Sequence, residues 1–390
     1  MVRPFRLARI PQILFRSGAI NDLPAIVAGY GSTLLLVTGE KSFATSPHAD
    51  RLRDQLTVRG VKIHQVTVAG EPSPTIIDEA VNGLRRSGIS IVVSIGGGSV
   101  MDAGKAISAM LTTDGSVIDY LEVVGSREHP GTKVPFIAVP TTSGTGSEAT
   151  KNAVISRVGK DGFKRSLRHD NFVPDIALLD PGLTLNTPAE ITAAAGMDCF
   201  TQLTEAFLSV KACEMTDALA IEGLKAVSRS LVRSFTHGDD IDARSDMSFA
   251  ALMSGICLAN AGLGAVHGLA GSVGAMFNIP HGVVCGTLMA AANEINIREL
   301  RKNPSGEHAL RRYIILGRLF ADAGSKSDNY YIDFFTDYLH SVTYLLKIPR
   351  LGSFRLSQDD VKVIATQADV KNNPVRLDRY SMEEILNRRL

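Results

Sequence analysis

In the first half of the chain, apolar residues come in short β-branched runs separated by longer stretches of helical spacing. Leu34–Thr38, Ile63–Val68, Ile91–Ile95 and Phe136–Pro140 are such runs. Between them, Ser46–Arg59, Thr75–Ser87 and Met101–Thr112 repeat their apolar positions every three or four residues. Strands alternating with helices of this length predict βαβ units and a mostly parallel sheet. Ile10–Phe15 predicts a first strand, followed by a turn at Arg16-Ser17-Gly18-Ala19. Asn152–Arg157 and Lys164–Arg168, joined by Gly159-Lys160-Asp161-Gly162, predict a hairpin, and Ile176–Leu179 one further strand.

The pattern changes near Asp180-Pro181-Gly182. Beyond about residue 185 no segment alternates as a strand does, while Ile191–Ser209, Glu214–Phe235, Ala243–Ala259, Ala309–Ala323 and Asp328–Lys347 keep helical periodicity. Two domains are expected, 1–184 α/β and 185–390 all-helical. Thr187-Pro188-Ala189-Glu190 reads as a capping box, with threonine as N-cap, proline first in the helix and glutamate third. The helix running on from it would carry Asp198, Gln202 and Glu205 on one face.

Composition narrows the picture. A chain of 390 residues suits two cores rather than one, and 45% hydrophobic content is that of a globular protein. The formal net charge is +1 with no sustained basic tract, so neither nucleic acid nor a membrane is expected as partner. Arg3, Arg6, Arg9 and Arg16 precede the first acidic residue, Asp22, as in a transit peptide, but a first strand and turn explain the segment better. Cys199, Cys213, Cys257 and Cys285 have no paired spacing and lie in apolar surroundings. They read as buried thiols of a cytoplasmic protein rather than disulfides or a cysteine zinc site.

Two loops carry a nucleotide signal. The strand ending at Ile95 runs into Gly96-Gly97-Gly98-Ser99 and then a helix from near Val100. Glycines let the backbone approach a phosphate, and the following helix presents its amides to it. Pro140-Thr141-Thr142-Ser143-Gly144-Thr145-Gly146-Ser147-Glu148 follows another strand, at the end where open α/β sheets bind ligands. Each loop alone is also compatible with an ordinary turn; together they point to a dinucleotide. In the second half, His267-Gly268 and Pro280-His281-Gly282 lie in a segment nearly free of charge, and Asp198 could complete a metal site with them.

These segments together resemble the iron-containing (group III) alcohol dehydrogenase family, which includes glycerol dehydrogenase and maleylacetate reductase. The resemblance rests on Gly96 to Lys105, Pro140 to Glu148, Leu179-Asp180-Pro181, Gly196-Met197-Asp198, Glu205-Ala206-Phe207, the two His-Gly pairs and Asn372-Asn373-Pro374. It implies an N-terminal Rossmann-like α/β dinucleotide-binding domain and an all-α C-terminal metal-binding domain, the dehydroquinate synthase-like architecture. It further implies Gly97, Gly98 and Ser99 at the cofactor pyrophosphate, with Gly96 and Asp102 also binding the cofactor, Thr141 and Thr142 near its middle, Lys164 at the ribose, and Ser73 and Gly39 toward the adenosine. Asp198, Gln202, His267 and His281 fall on the metal-ligand positions, with Asp198, His267 and His281 also the catalytic set. The implied cofactors are NAD or NADP and a divalent metal, Fe2+ or Zn2+, acting on an alcohol or aldehyde, in a chain expected to form homo-oligomers.

Two positions depart from the family pattern. Gln202 stands where metal-dependent members usually have histidine, and a neutral amide oxygen is the poorer ligand for iron or zinc. Three protein ligands are therefore expected, with Gln202 doubtful. Gly271 stands where many members have a histidine near the nicotinamide, which enlarges the pocket and leaves His169 or the ribose hydroxyl as proton carriers. The segment Gly39-Glu40-Lys41-Ser42 sets no preference between NAD and NADP. The alternatives are a metal-independent reductase of the maleylacetate type, using the Arg165, Arg168 and His169 cluster for carboxylates, and a non-catalytic nucleotide-binding protein.

Overall fold

The computed structural model describes residues 2, 4–41, 43–159 and 162–390. Arg3 of the basic N-terminal stretch, Ser42 beside the second strand, and Lys160 and Asp161 of the expected hairpin turn lie outside the described residues.

The first half alternates strands and helices: β1 (Gln12–Phe15), α1 (Leu23–Tyr30), β2 (Thr33–Gly39), α2 (Pro47–Val58), β3 (Lys62–Val68), α3 (Pro74–Leu84), β4 (Ile91–Gly96), α4 (Gly98–Met110), β5 (Phe136–Pro140), β6 (Asn152–Arg157), β7 (Phe163–Arg168) and β8 (Ile176–Leu179). Six of the strands form one parallel sheet in the order β1-β8-β5-β4-β2-β3, while β6 and β7 pair as a separate antiparallel hairpin. The central strands are apolar throughout because both faces are covered. Leu35, Val37, Val92 and Ala138 enter one core, and their strand neighbours Leu34, Leu36, Ile91, Val93, Ile137 and Val139 enter the core on the opposite face.

The register aligns Thr38 with Ile95 and Gly96 with Pro140. The carboxyl ends of β2, β4 and β5 therefore form a row, from which the glycine loop and the hydroxyl-rich loop both start.

After Leu179 the described residues hold no strand. They form α5 (Ala189–Leu208), α6 (Glu214–Thr236), α7 (Ile241–Ala261), α8 (Ala265–Met276), α9 (His281–Arg301), α10 (Glu307–Phe320), α11 (Asp328–Leu345), α12 (Gln358–Gln367) and α13 (Arg379–Asn387). Helix α5 is central, packed against α6, α7 and α9, and every residue from Gly196 to Leu208 is buried. No single helix among the described residues is long and apolar enough to cross a membrane.

The expected capping box at the start of α5 is not formed. The helix begins at Ala189, because Pro188 keeps an extended ψ of 148° and no side chain caps it. The Thr187 hydroxyl instead donates to the Thr141 carbonyl at 3.2 Å, which ties the first turn of the helical half to the loop after β5. That loop meets the helices a second time at Gly146, in the left-handed region at φ +62°. A Cβ there would lie 2.4 Å from the Gly255 backbone of α7, so only glycine allows this approach. The two halves are thus pinned together beside the row of strand ends.

Candidate active site

Buried carboxylates need partners, and Asp198 and Glu205 of α5 find theirs on α8 and α9. Gly262, at φ +68°, ends α7, and the chain bends by 97° into α8. The Glu205 carboxylate sits at the N-terminus of α8, where the helix dipole favours an anion. One of its oxygens accepts the Val266 N–H at 2.7 Å, and the other lies 2.6 Å from His267 Nδ1. This fixes the imidazole so that Nε2 faces Asp198 Oδ1 at 3.2 Å. His281 opens α9 directly after Pro280, and its Nε2 lies 3.7 Å from the same Asp198 oxygen. One helical turn on, Cys285 Sγ lies 3.6 Å from His267 Nε2 and 3.7 Å from His281 Nε2.

The electrostatics of this cluster follow from its burial. Desolvation by itself would raise the Asp198 carboxyl, but the His281 and His267 rings and the Gln202 amide outweigh it and hold the group down at about 2. His281 is pushed down, by burial first and then by the charges of Lys164 and His267. Burial also opposes protonation of His267, yet Cys285, Asp198 and Glu205 around the ring raise it well above an ordinary histidine. The Cys285 thiol is pushed up to about 12 by burial. Buried Gln202 Oε1 and His281 Nδ1 have no hydrogen-bond partner.

The donor set fits a divalent cation. Ligand atoms of Asp198, His267, His281 and Cys285 lie within 4.8 Å of one another. His281 Nε2 and Asp198 Oδ1, 3.7 Å apart, are too far apart for a hydrogen bond. A carboxylate and two imidazoles converging in this way, one imidazole backed by a second carboxylate, have the chemistry of a zinc or ferrous site.

The cluster opens onto a cleft of about 400 Å³ between the sheet half and the helical half. Of the residues expected from the sequence, Gly98, Ser99, Asp102, Lys164, Asp198, Gln202, His267 and His281 line this cleft. Lys164 reaches it from β7 and is paired with Glu71 at 3.1 Å. Asp102 is held by the Ser147 hydroxyl at 2.5 Å and the Val154 N–H at 3.0 Å, and burial raises its carboxyl.

Gly39, Ser73, Gly96, Gly97, Thr141 and Thr142 are not among the lining residues. Gly39 and Gly96 end their strands in the row described above, and the Thr141 N–H donates to Gly96 O. Thr142 stands against Gly97, where a Cβ would meet its hydroxyl at 3.4 Å. Ser73 caps α3 by accepting the Ile76 N–H.

His169, expected as a proton carrier, is displaced from that role. Its Nδ1 accepts the Asn171 N–H and its ring packs on Phe172, away from the cleft. The cationic cluster is split likewise: Arg168 lines the cleft but is paired with Glu122, and Arg165 lines an adjoining opening beside Gly268 and Gly271.

All four cysteines are buried and free, as the sequence suggests. Cys285 differs from the other three in lying beside His267 and His281. Its signal was the four-residue spacing from His281, which puts both on one face once a helix starts after Pro280.

Comparison with known proteins follows the same division of the chain. The family model described as iron-containing alcohol dehydrogenase matches residues 11–181, and the one described as Fe-containing alcohol dehydrogenase family, C-terminal, matches residues 192–390.

The chain belongs to the iron-containing alcohol dehydrogenase family.

As a member of the iron-containing alcohol dehydrogenase family, it is an oxidoreductase acting on CH–OH groups, and membership implies a nicotinamide cofactor and a divalent metal. It is 36% identical to long-chain-alcohol dehydrogenase 1 of Geobacillus thermodenitrificans, over 68% of this chain and 67% of that protein. A solved 1,3-propanediol oxidoreductase superposes with a TM-score of 0.88 at 25% identity, covering all of both chains. A sulfoacetaldehyde reductase from Bifidobacterium kashiwanohense, solved in complex with NAD+, gives 0.85 at 26% identity over 99% of each chain.

Proposed function

We propose that this alcohol dehydrogenase is metal-dependent, uses NAD or NADP, and works as an aldehyde or ketone reductase in the cleft between its halves. The observation that carries the reading is the convergence of Asp198, His267 and His281 on a cleft whose other wall is the N-terminus of α4.

Asp198, His267 and His281 would hold the metal, whose contribution there would be Lewis-acid stabilisation of the substrate oxygen. Glu205 keeps the His267 proton on Nδ1, so that Nε2 offers its lone pair. The Gln202 amide hydrogen-bonds Asp198 and orients it. The backbone of Gly96, Gly97, Gly98 and Ser99 would hold the pyrophosphate at the positive end of α4. Asp102 supports this by fixing Ser147 and Val154 beside it, and Thr141 and Thr142 brace the glycine loop from the next strand. Lys164, steadied by Glu71, would bind the nicotinamide ribose, and Gly39 and Ser73 would serve the adenosine end. Leu258 and Leu263 give the cleft apolar wall that excludes water from the hydride path. A reducing, cytoplasmic setting suits a chain whose four cysteines are all free.

The metal-independent reading calls for a free cation to receive a substrate carboxylate, and Arg168 is already paired with Glu122. The metal-dependent reading is therefore preferred. It is tested by metal analysis of purified wild-type protein and of Asp198→Asn. Wild type is expected to carry about one iron or zinc ion per chain and the variant to lose most of it. Full occupancy in the variant would remove Asp198 from the site.

A further inference from the structure

Cys285 is fully buried and lies on the face of α9 that carries His281. Its sulfur touches two imidazole nitrogens at once, at 3.6 and 3.7 Å. A thiol is a weak donor with one proton and a weak acceptor, so a buried S–H accounts for both contacts only where one ring carries a proton on Nε2. A shared cation accounts for both contacts with neither ring protonated there. With metal–sulfur bonds of about 2.3 Å and metal–nitrogen bonds of about 2.0–2.1 Å, tetrahedral geometry places sulfur and nitrogen about 3.5 Å apart. The same geometry puts oxygen and nitrogen ligands about 3.3 Å apart, and Asp198 Oδ1 lies 3.2 and 3.7 Å from the two imidazole nitrogens. Gln202 sits differently. Its side chain bonds Asp198 from the wall of the cleft, and its buried Oε1 has no partner.

We infer that Cys285 is the fourth protein ligand of the metal centre, its sulfur joining Asp198 Oδ1, His267 Nε2 and His281 Nε2 around one divalent ion. The inference rests on the metal-dependent reading above. Binding expels the thiol proton to solvent, and the thiolate formed shifts the site toward zinc and away from magnesium or manganese.

Cobalt(II) titration of metal-stripped protein tests this by absorption spectroscopy, apart from activity. Wild type is expected to show a sulfur-to-cobalt charge-transfer band in the near ultraviolet together with the visible bands of a tetrahedral ion. Cys285→Ser should lose the near-ultraviolet band and bind cobalt about tenfold more weakly or worse, while Gln202→Ala keeps the band. Wild-type protein that binds cobalt without the charge-transfer band overturns the assignment of Cys285 and leaves the metal centre standing. A band that survives in Cys285→Ser also overturns it. Protein that takes up no cobalt overturns the metal centre, and this inference with it.

Discussion

Glu205 serves two donors with one carboxylate, the Val266 N–H and His267 Nδ1. Glutamine has one acceptor oxygen and would turn an N–H toward one of these donors. Glu205→Gln is expected to lower metal affinity about 10–100-fold while leaving the fold intact. A competition titration with a chromophoric chelator reads this directly, and unchanged affinity would deny Glu205 its supporting role. Gly271 offers a second residue-scale test. A Cβ at this position meets nothing within 4 Å, and the residue lines the cleft. Gly271→His should therefore fill open space and lower the turnover of bulky aldehydes relative to small ones; an unchanged ratio dismisses the idea. Asp198, His267 and His281 were legible because charge is rare in their apolar surroundings. Cys285 was not, because a thiol in apolar sequence reads as core until the bounds of α9 are known.

At the scale of the element, the loop after β5 and helix α4 are held by a buried polar group of unusual density. Lys105 Nζ contacts Ser147 O, Ser147 Oγ, Thr150 Oγ1 and Asn152 O. Burial pulls it down to about 8, against the attraction of Asp102 and Glu148. Glu148, on the same loop, is pushed up to about 7 by burial, opposed by a backbone hydrogen bond and Lys105, and its Oε1 has no partner. Because its folded value lies above the unfolded 4.5, the folded state binds the extra proton between these limits. This contribution to stability is complete below about pH 4.5 and is lost as pH rises through 7, at most about 3 kcal/mol. Urea unfolding of wild type and Glu148→Gln across that window should show the variant lacking this loss. Parallel curves would contradict it.

The strands were legible because the sheet is covered on both faces, which makes β-branched runs continuous and unambiguous. The helix start at Ala189 was misread, since a threonine hydroxyl can cap its own helix or, as here, reach a carbonyl on another strand's loop. Nothing local decides between these. The same limit hid the separation of cofactor residues into those on the cleft and those behind it, which depends on how α4 and the β5 loop stack.

For the whole molecule, the cleft unites two halves with different duties: the sheet half presents a helix N-terminus and glycines, and the helical half presents the ligand cluster. Gly146 against Gly255 and Thr187 against Thr141 keep them in register. Hydride transfer in this cleft is expected to require a divalent metal. This requirement is tested most directly by following NADH and NADPH oxidation with a panel of aldehydes before chelation, after complete metal removal, and after adding back zinc or ferrous iron. Activity is expected to disappear with the metal and to return with it. Activity that persists in protein shown to be metal-free would contradict this.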